Sequence, residues 1–476
     1  MDTTLGTVCA SFYAEPDLVL PDLPAGDGAV DISTSEYEVT YFDTANKDLR
    51  RLGLMLSRQH NGDLDRWRLE SGDDVTEFGD GTGTDTVPEQ VADLLLGVRW
   101  CQELTPVLTV TQTATVHKLH RAPGIPSLKL VDSRLNAVTM GLESTIAGWR
   151  TVEVTGDHSD GDAVTEVIDR LKESGATEST SSHLDTLLSL GAVDEKAPDQ
   201  SQLGGLVEVY LGEQLDAIAR GDLGLRTGQP VIHPTRVALR RFRSTLRVFR
   251  KLFDADQSRS LEEELRWIAG VLGEVRDAEI LSSRLEEQLA DLPAEHVLGP
   301  VASHIRGSLA EQRATGLAQL RDALADPRYA QLLSTLHEWS AGPPFTDLAA
   351  GPASEASRYV KRARRKFRQR LHSALEDPPA TLHSARKAAK RLRYAAELAV
   401  PALGAKAEKT AEQAKKLQTL LGEHQDASVS ADFLRRVGAQ TAGESGHNGY
   451  TYGLLVAQEW SRAERIQRKL AKRLGR

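Results

Sequence analysis

HPTRVALRRFRSTLR, residues 233–247, and HSARKAAKRLRYAAE, residues 383–397, are one segment written twice. Each begins with a histidine and places cations three, seven, eight and ten residues later. These are Arg236, Arg240, Arg241 and Arg243 in the first copy and Arg386, Lys390, Arg391 and Arg393 in the second. Steps of three and four keep side chains on one face of an α-helix, so both copies predict a helix with a cationic stripe. In the first, His233, Arg236, Arg240, Arg243 and Arg247 form the stripe, while Val237, Phe242, Leu246 and Phe249 face a core. In the second, His383 heads Arg386, Lys390 and Arg393, with Lys387 and Arg391 beside them and Leu392, Ala396 and Val400 in the apolar role. Pro234 suits a first helical turn.

Outward from these copies the repeat continues. LGEVRD at 272–277 and LGEHQD at 421–426 end on Asp277 and Asp426, 44 and 43 residues after the two histidines. From Leu206 to the end the periodicity is helical, with long segments near 206–220, 233–253, 258–290, 294–324, 328–339, 354–375, 380–400, 404–436 and 449–474. Two repeats, near 206–340 and 354–476, are too few for a solenoid. The expectation is an all-α bundle, duplicated with approximate two-fold symmetry. A third basic concentration, Arg358 to Arg370 and including Arg362 and Arg365, contains no acid.

Residues 1–200 have a different character. Glu36–Tyr41 alternates polar and apolar, and Met55–His60 and Asp65–Leu69 flank an Asn61-Gly62 hairpin signal. Further β-rich runs lie at 106–119, 127–132, 137–143 and 149–155, with short helices at 47–52 and 89–96. This predicts an antiparallel, β-rich α+β domain over 1–200. The polar stretch from Glu173 to Ser182 and the loose segment Ala192–Gly205 lead into the helical domain over 201–476.

Charge follows the same division. Residues 1–200 carry about 15 Lys and Arg against about 35 Asp and Glu, whereas residues 201–476 carry about 43 against about 33. The net charge of −10 therefore hides a basic half. No run of about eighteen apolar residues predicts a membrane span. The start, Met1-Asp2-Thr3-Thr4, has no secretory pattern, and two cysteines, Cys9 and Cys101, make no disulfide framework. A cytoplasmic location is expected.

Surface helices ordinarily set Glu four residues from Lys or Arg, because like charges at that spacing repel. Three helices here accept the repulsion, two in the same register. Arginine dominates, and its planar fork bonds phosphate oxygens in pairs. Aromatic residues make up 5% of the chain, and Phe242, Phe249, Phe367 and Tyr394 fall mostly at apolar positions, so base stacking is not provided for. A repeating phosphate without bases, inorganic polyphosphate, is the expected ligand, rather than sequence-specific nucleic acid.

The paired histidine motifs and the LGEVRD and LGEHQD segments resemble the conserved-histidine α-helical family, CHAD. The resemblance covers 206–476. It implies a helical domain with internal two-fold symmetry, polyphosphate binding and association with polyphosphate granules. The binding role it implies falls on His233, Arg236, Arg240, Arg243, Arg247, His383, Arg386, Lys387, Lys390, Arg391 and Arg393. One departure is Gln425 where the first repeat has Arg276.

Residues 1–200 are similar to the CYTH, or triphosphate tunnel, family through Tyr41-Phe42-Asp43-Thr44, Leu52-Gly53, Trp67-Arg68-Leu69 and Trp149–Glu153. That family holds Mg²⁺ or Mn²⁺ on carboxylates and triphosphate on inward cations. Its ExExK signature should fall near 7–11, where this chain reads TVCAS. Ser57 and Gln59 alternate opposite Arg58, Glu70 stands where a lysine is expected, and residues 107–115 offer no cation. The expectation is a catalytically degenerate domain without catalytic residues, metal or cofactor. The alternatives are a metal-dependent triphosphatase served by the helical domain, with Glu36, Glu38 and Glu153 as surviving carboxylates, and an interaction module. If His233 and His383 meet phosphate as imidazolium, binding weakens as pH rises through about 6–7.

Overall fold

The structure is a computed structural model that describes residues 8–21, 30–61, 64–72, 74–79, 86–122, 125–140, 144–156, 161–179, 183–189, 197–376, 380–441 and 449–473. The chain divides into two compact units, Met1–Glu195 and Lys196–Arg476. Among the described residues no helix is long and apolar enough to cross a membrane.

The first unit contains β1 (Val8–Ala14), β2 (Val30–Asp43), α1 (Asp48–Arg51), β3 (Leu54–Asn61), β4 (Leu64–Ser71) and β5 (Asp74–Phe78). There follow α2 (Glu89–Leu94), β6 (Thr105–Ala122), β7 (Ile125–Thr139), β8 (Ile146–Gly156), α3 (Gly161–Glu173), β9 (Thr177–Glu178) and α4 (His183–Ser189). The strands form one antiparallel sheet in the order β5-β4-β3-β2-β6-β7-β8-β1-β9. The predicted hairpin is β3–β4, with Asn61 paired to Leu64; Gly62 lies outside the described residues.

Strand alternation decides which residues meet. Val164, Val167 and Leu171 of α3, at helical spacing, cover Phe12, Leu128, Leu130, Val152 and Val154. Leu187 and Leu188 of α4 cover Val110 and Ala137 on the opposite face. The two runs predicted at 127–132 and 137–143 are a single strand, β7, paired along its length with β6. The first half of β2 was not read as strand because Asp31–Glu36 are all exposed, and no alternation marks a segment held only by its ladder.

The Tyr41–Thr44 motif has a structural task. Asp43 accepts from the backbone N–H groups of Thr44 (2.7 Å), Leu49 (2.9 Å) and Arg50 (3.0 Å), which starts α1. Thr44 donates to Asp48 at 2.6 Å. Phe42 packs on Trp67 with centroids 4.8 Å apart.

The second unit is all helix. Its elements are α5 (Leu203–Arg226), α6 (Ile232–Val248), α7 (Ala255–Ala290), α8 (Val301–Ala325), α9 (Pro327–Ala341), α10 (Ala356–Glu376), α11 (Ala380–Leu398), α12 (Val400–Leu403), α13 (Ala405–Thr441) and α14 (Tyr450–Arg473). Caps set the starts. Asp254 accepts from the N–H groups of Asp256 and Gln257 ahead of α7, and Asp326 from that of Arg328 ahead of α9, where Pro327 fills the first turn. The periodic segment read as 294–324 is a short 3-10 turn, Ala294–His296, followed by α8. Helix lengths recur in order: α6 and α11 have 17 and 19 residues, α7 and α13 have 36 and 37, and α8 and α14 have 25 and 24.

One end of the bundle is a core in which Leu281, Leu285, Ile305 and Leu309 of α7 and α8 meet Phe433, Leu434, Leu455 and Val456 of α13 and α14. A buried ion pair fastens it. Arg284 Nε donates to Glu459 at 2.9 Å, Gln288 donates to the same carboxylate, and Glu459 is fully buried. Glu459→Gln leaves Arg284 without its charge partner inside the bundle, an expected loss of about 3 kcal/mol. Urea unfolding of the full chain measures it.

Candidate functional site

The two basic helices, distant in sequence, lie side by side. Arg240 Nε donates to Tyr394 Oη at 3.0 Å across 154 residues of chain. The buried face of α11 is built from Ala385, Ala388, Ala389, Ala395 and Ala396, small enough for close approach. Behind α6, Phe242 packs on Trp339 (6.2 Å) and Phe249 stacks on Tyr359 of α10 (4.8 Å), which brings the third basic helix alongside.

Between α6 and α11 lies a groove of about 450 Å³. Arg236, Arg240, Arg243 and Arg247 line it from α6, Lys387, Lys390 and Arg391 from α11, and Arg266 from α7. Two further depressions continue from it, because Arg247 and Arg391 line all three. One runs toward Arg362 and Lys366 of α10, with Arg250. The other, about 750 Å³, adds Lys251 and Arg259 and one carboxylate, Glu262. That carboxylate lies 3.7 Å from both Arg243 and Arg266 and accepts a bond from Arg247.

The LGEVRD and LGEHQD segments have a physical role here. Arg236 Nη1 donates to Asp277 at 3.1 Å, and a Cβ on Gly273 would lie 3.3 Å from Arg236 Nη2. On the other side Arg386 Nη2 is 3.8 Å from Asp426, and a Cβ on Gly422 would lie 3.5 Å from it. A Cβ at Gly273 would press on the Arg236 guanidinium, and one at Gly422 would lie in contact with that of Arg386. The aspartate then aims each guanidinium. Arg276, which has no cationic counterpart in the second repeat, pairs with Glu279 at 3.0 Å, while Gln425 contacts His383 Nδ1 at 3.2 Å.

Not every sequence-predicted residue reaches the groove. Arg241 and Arg393 instead flank the ring of Tyr394, each 5.6 Å from its centroid, and share Glu397 at 3.2 and 2.7 Å. Arg365 is exposed on α10 outside the three depressions, whereas Arg362 lines one. His233 and His383 are exposed at the helix starts and line none of them. Burial of the rings and the neighbouring cations, Arg276, Arg240 and Arg236 for one and Lys387, Arg386 and Lys390 for the other, push both below the ordinary histidine value of 6.5. In the free protein both rings therefore hold their protons less firmly than an ordinary histidine, and the imidazolium expectation concerns the phosphate-bound state.

Sequence reading missed Arg266, Arg259, Arg250, Lys251 and Lys366 as groove residues. The signal for the first two was a stripe of Arg259, Glu262 and Arg266, but its alternating sign reads as an ordinary solvated helix face. It also missed the state of Lys390. Burial, then the charges of Arg386, Arg240 and Arg236, push its ammonium down to about 7.

Among the described residues of the first unit the two most buried arginines are paired with carboxylates. Arg58 bonds Asp65 at 2.7 and 2.9 Å, and Arg150 bonds Asp132 at 2.7 and 2.9 Å. Ser57 and Gln59 pair with Tyr41 and Val39, on the face opposite Arg58. Glu36 and Glu38 sit at even positions of β2, opposite Thr113 and Thr111. Glu153 maps through Val131 and Val116 onto Ser33, an odd position and thus the other face. The three carboxylates therefore do not converge and do not fit the divalent ion that the tunnel family holds. Among the described residues no group of three or more His, Cys, Asp or Glu side chains suits a metal.

A helical unit whose two histidine-headed basic helices face each other, each locked by a glycine and an aspartate from a long neighbouring helix, is a CHAD domain: residues 209–435 match that family. The chain is 30% identical over 464 residues to the uncharacterized protein Rv2226 of Mycobacterium tuberculosis, covering 92% of this chain and 89% of that protein. It belongs to this family of CHAD-domain proteins. Among solved structures, the CHAD domain from the plant Ricinus communis is similar at 23% identity and a TM-score of 0.48, covering 59% of this chain and 94% of that one. PptA from Streptomyces chartreusis is similar at 20% identity and a TM-score of 0.48, covering 58% and 100% respectively.

Proposed function

We propose that the helical unit binds inorganic polyphosphate along the groove between α6 and α11 and the depressions that extend it. The observation that carries this is the convergence of two cation rows from separate parts of the sequence on one open surface. Cations three or four residues apart advance about 4.5–6 Å along a helix axis, so each row follows an extended chain. Guanidinium groups bond phosphate oxygens bidentately and stay charged at any working pH. Phe242, Phe249 and Tyr394 are buried, so bases would find no stacking partner among them.

The matched helix lengths support a duplicated bundle in which α6 and α11 are counterparts. The first unit is, on this proposal, a degenerate tunnel-family fold without triphosphatase activity, in which Ser57 and Gln59 supply no charge and Arg58 and Arg150 are neutralised by Asp65 and Asp132. Capture of long chains would place the protein at polyphosphate granules.

Titration of the full chain with polyphosphates of defined length tests the ligand. Affinity should rise with length until the track is filled, and should fall steeply with salt as counterions are released. RNA or DNA at equal phosphate concentration should displace the polymer poorly. Equal affinity for tripolyphosphate and a long chain, or efficient displacement by RNA, would overturn the assignment. Robust metal-dependent tripolyphosphate turnover would overturn the inactivity of the first unit.

A further inference from the structure

We infer that Lys390 is a modification site: a nucleophilic amine that takes an acyl group from acyl phosphates whose phosphate docks in the arginine groove. This goes beyond polymer binding. It rests on the groove accepting phosphate groups and not on chain length.

Lys390 lines the groove together with Arg240, Arg243 and Arg247, so a phosphate held there lies beside the amine. Among the described residues it has no hydrogen-bond or ion-pair partner, unlike its neighbours Arg236, Arg240 and Arg386. The charged groups that face it are Arg236 and Arg240 on α6, Arg386 on α11 itself, and Asp426 on α13. His383, about two turns away on α11, is held below the ordinary histidine value. Three cations against one carboxylate, in a half-buried position, favour the uncharged amine, with an ammonium pKa of about 7. At pH 7.5 most of the Lys390 population is then a free amine, against about one part in a thousand for an ordinary lysine. Cationic neighbours activate a lysine nucleophile in this way.

The step is balanced without a cofactor. The Nζ lone pair attacks the acyl carbon, the C–O bond to phosphate breaks, and inorganic phosphate leaves with the bonding pair. The surplus proton on nitrogen passes to that phosphate or to water. The product is an uncharged amide, and the groove has lost one cation.

The test treats the full chain with acetyl phosphate at pH 7.5, in parallel with the uncharged donor N-acetylimidazole, and follows each lysine by mass spectrometry. With acetyl phosphate, Lys390 should be acetylated about tenfold faster than Lys409 and Lys415, two exposed lysines outside the groove, because Lys390 lies beside the docked donor. Inorganic pyrophosphate should protect it. Arg243→Gln, which lines the groove but does not rank with Arg386, Arg240 and Arg236 among the largest influences on Lys390, should slow acetyl phosphate several-fold and change N-acetylimidazole little. Equal acetylation of Lys390, Lys409 and Lys415 overturns the inference. So does selectivity with N-acetylimidazole alone, which would mean that phosphate does not dock. Polymer affinity, titrated on unmodified protein, stands or falls separately.

Discussion

Replacing Arg247 and Arg391 together by glutamine should weaken polyphosphate binding about a hundredfold or more, since each charge-assisted bond to phosphate contributes about 1.5–3 kcal/mol. These two are the largest single loss because they line all three connected depressions, one from α6 and one from α11. Their removal cuts the track in the middle. The salt dependence should flatten as well, by about 1.5 in the slope of log affinity against log salt, for two fewer phosphate contacts. The fold should not suffer. Burial and the charge of Arg247 both lower the pKa of Arg243 and of Arg391, so these cations strain the ligand-free protein. The melting temperature of the double variant should hold or rise while affinity collapses. Arg365→Gln, outside the depressions, should change affinity less than threefold, within the range of a screened surface charge. Equal losses in Arg365→Gln and the double variant would reduce the groove to a diffuse field effect.

Much of this site was legible because helical periodicity is a strong local signal. The register of His233, Arg236, Arg240, Arg243 and Arg247 put four arginines on one face, and the structure keeps those four in the groove. The repeat of LG and D at matched distances pointed to a shared task, and the glycine space and aspartate contact at Arg236 and Arg386 supply it. The illegible part is what depends on a partner far along the chain. Arg241 carries the same local pattern as its neighbours, yet Glu397 and Tyr394 claim it from the other side of the α6–α11 seam, and Arg393 turns to the same Glu397 four residues along its own helix. Arg266 joins from α7 with an acid in its own stripe. In the sheet unit, Arg58 and Arg150 were visible as cations, but only strand register shows that Asp65 and Asp132 neutralise them. The short helix α3 was missed although Val164, Val167, Ile168 and Leu171 carry the period, because polar residues surround the stripe.

Polyphosphate affinity should fall about tenfold per pH unit above pH 7, and Lys390, not a histidine, sets the slope. In the free protein its ammonium pKa lies near 7, with burial as the largest cause and the charges of Arg386, Arg240 and Arg236 next. A bound polymer fills the groove with several phosphates, supplies the missing counter-charge and returns the pKa toward the ordinary lysine value of about 10.4, whereas one small acyl phosphate offsets only part of the three neighbouring cations. Below pH 7 the amine is charged in both states and affinity does not depend on it. Above pH 7 the free form is neutral and the complex is not, so binding takes up a proton and weakens as protons become scarce, until the pKa of the complex is reached. The contribution to folding has the opposite sign: the folded pKa is below the unfolded one, the unfolded chain binds the extra proton between pH 7 and about 10.4, and stability of the free protein rises over that window. Histidine control would instead start the slope below 6.5, because burial and neighbouring cations lower both rings in the free protein. Isothermal titration at pH 8 in two buffers of different ionisation enthalpy should register uptake of about one proton, since one group with a large shift is involved. Lys390→Arg, charged throughout, should bind with a flat profile from pH 7 to 9 and exceed the parent at pH 9, while Lys390→Met should be flat and weak. A parent profile already flat over that range, or one unchanged by Lys390→Arg, would show that Lys390 keeps its proton in the free groove.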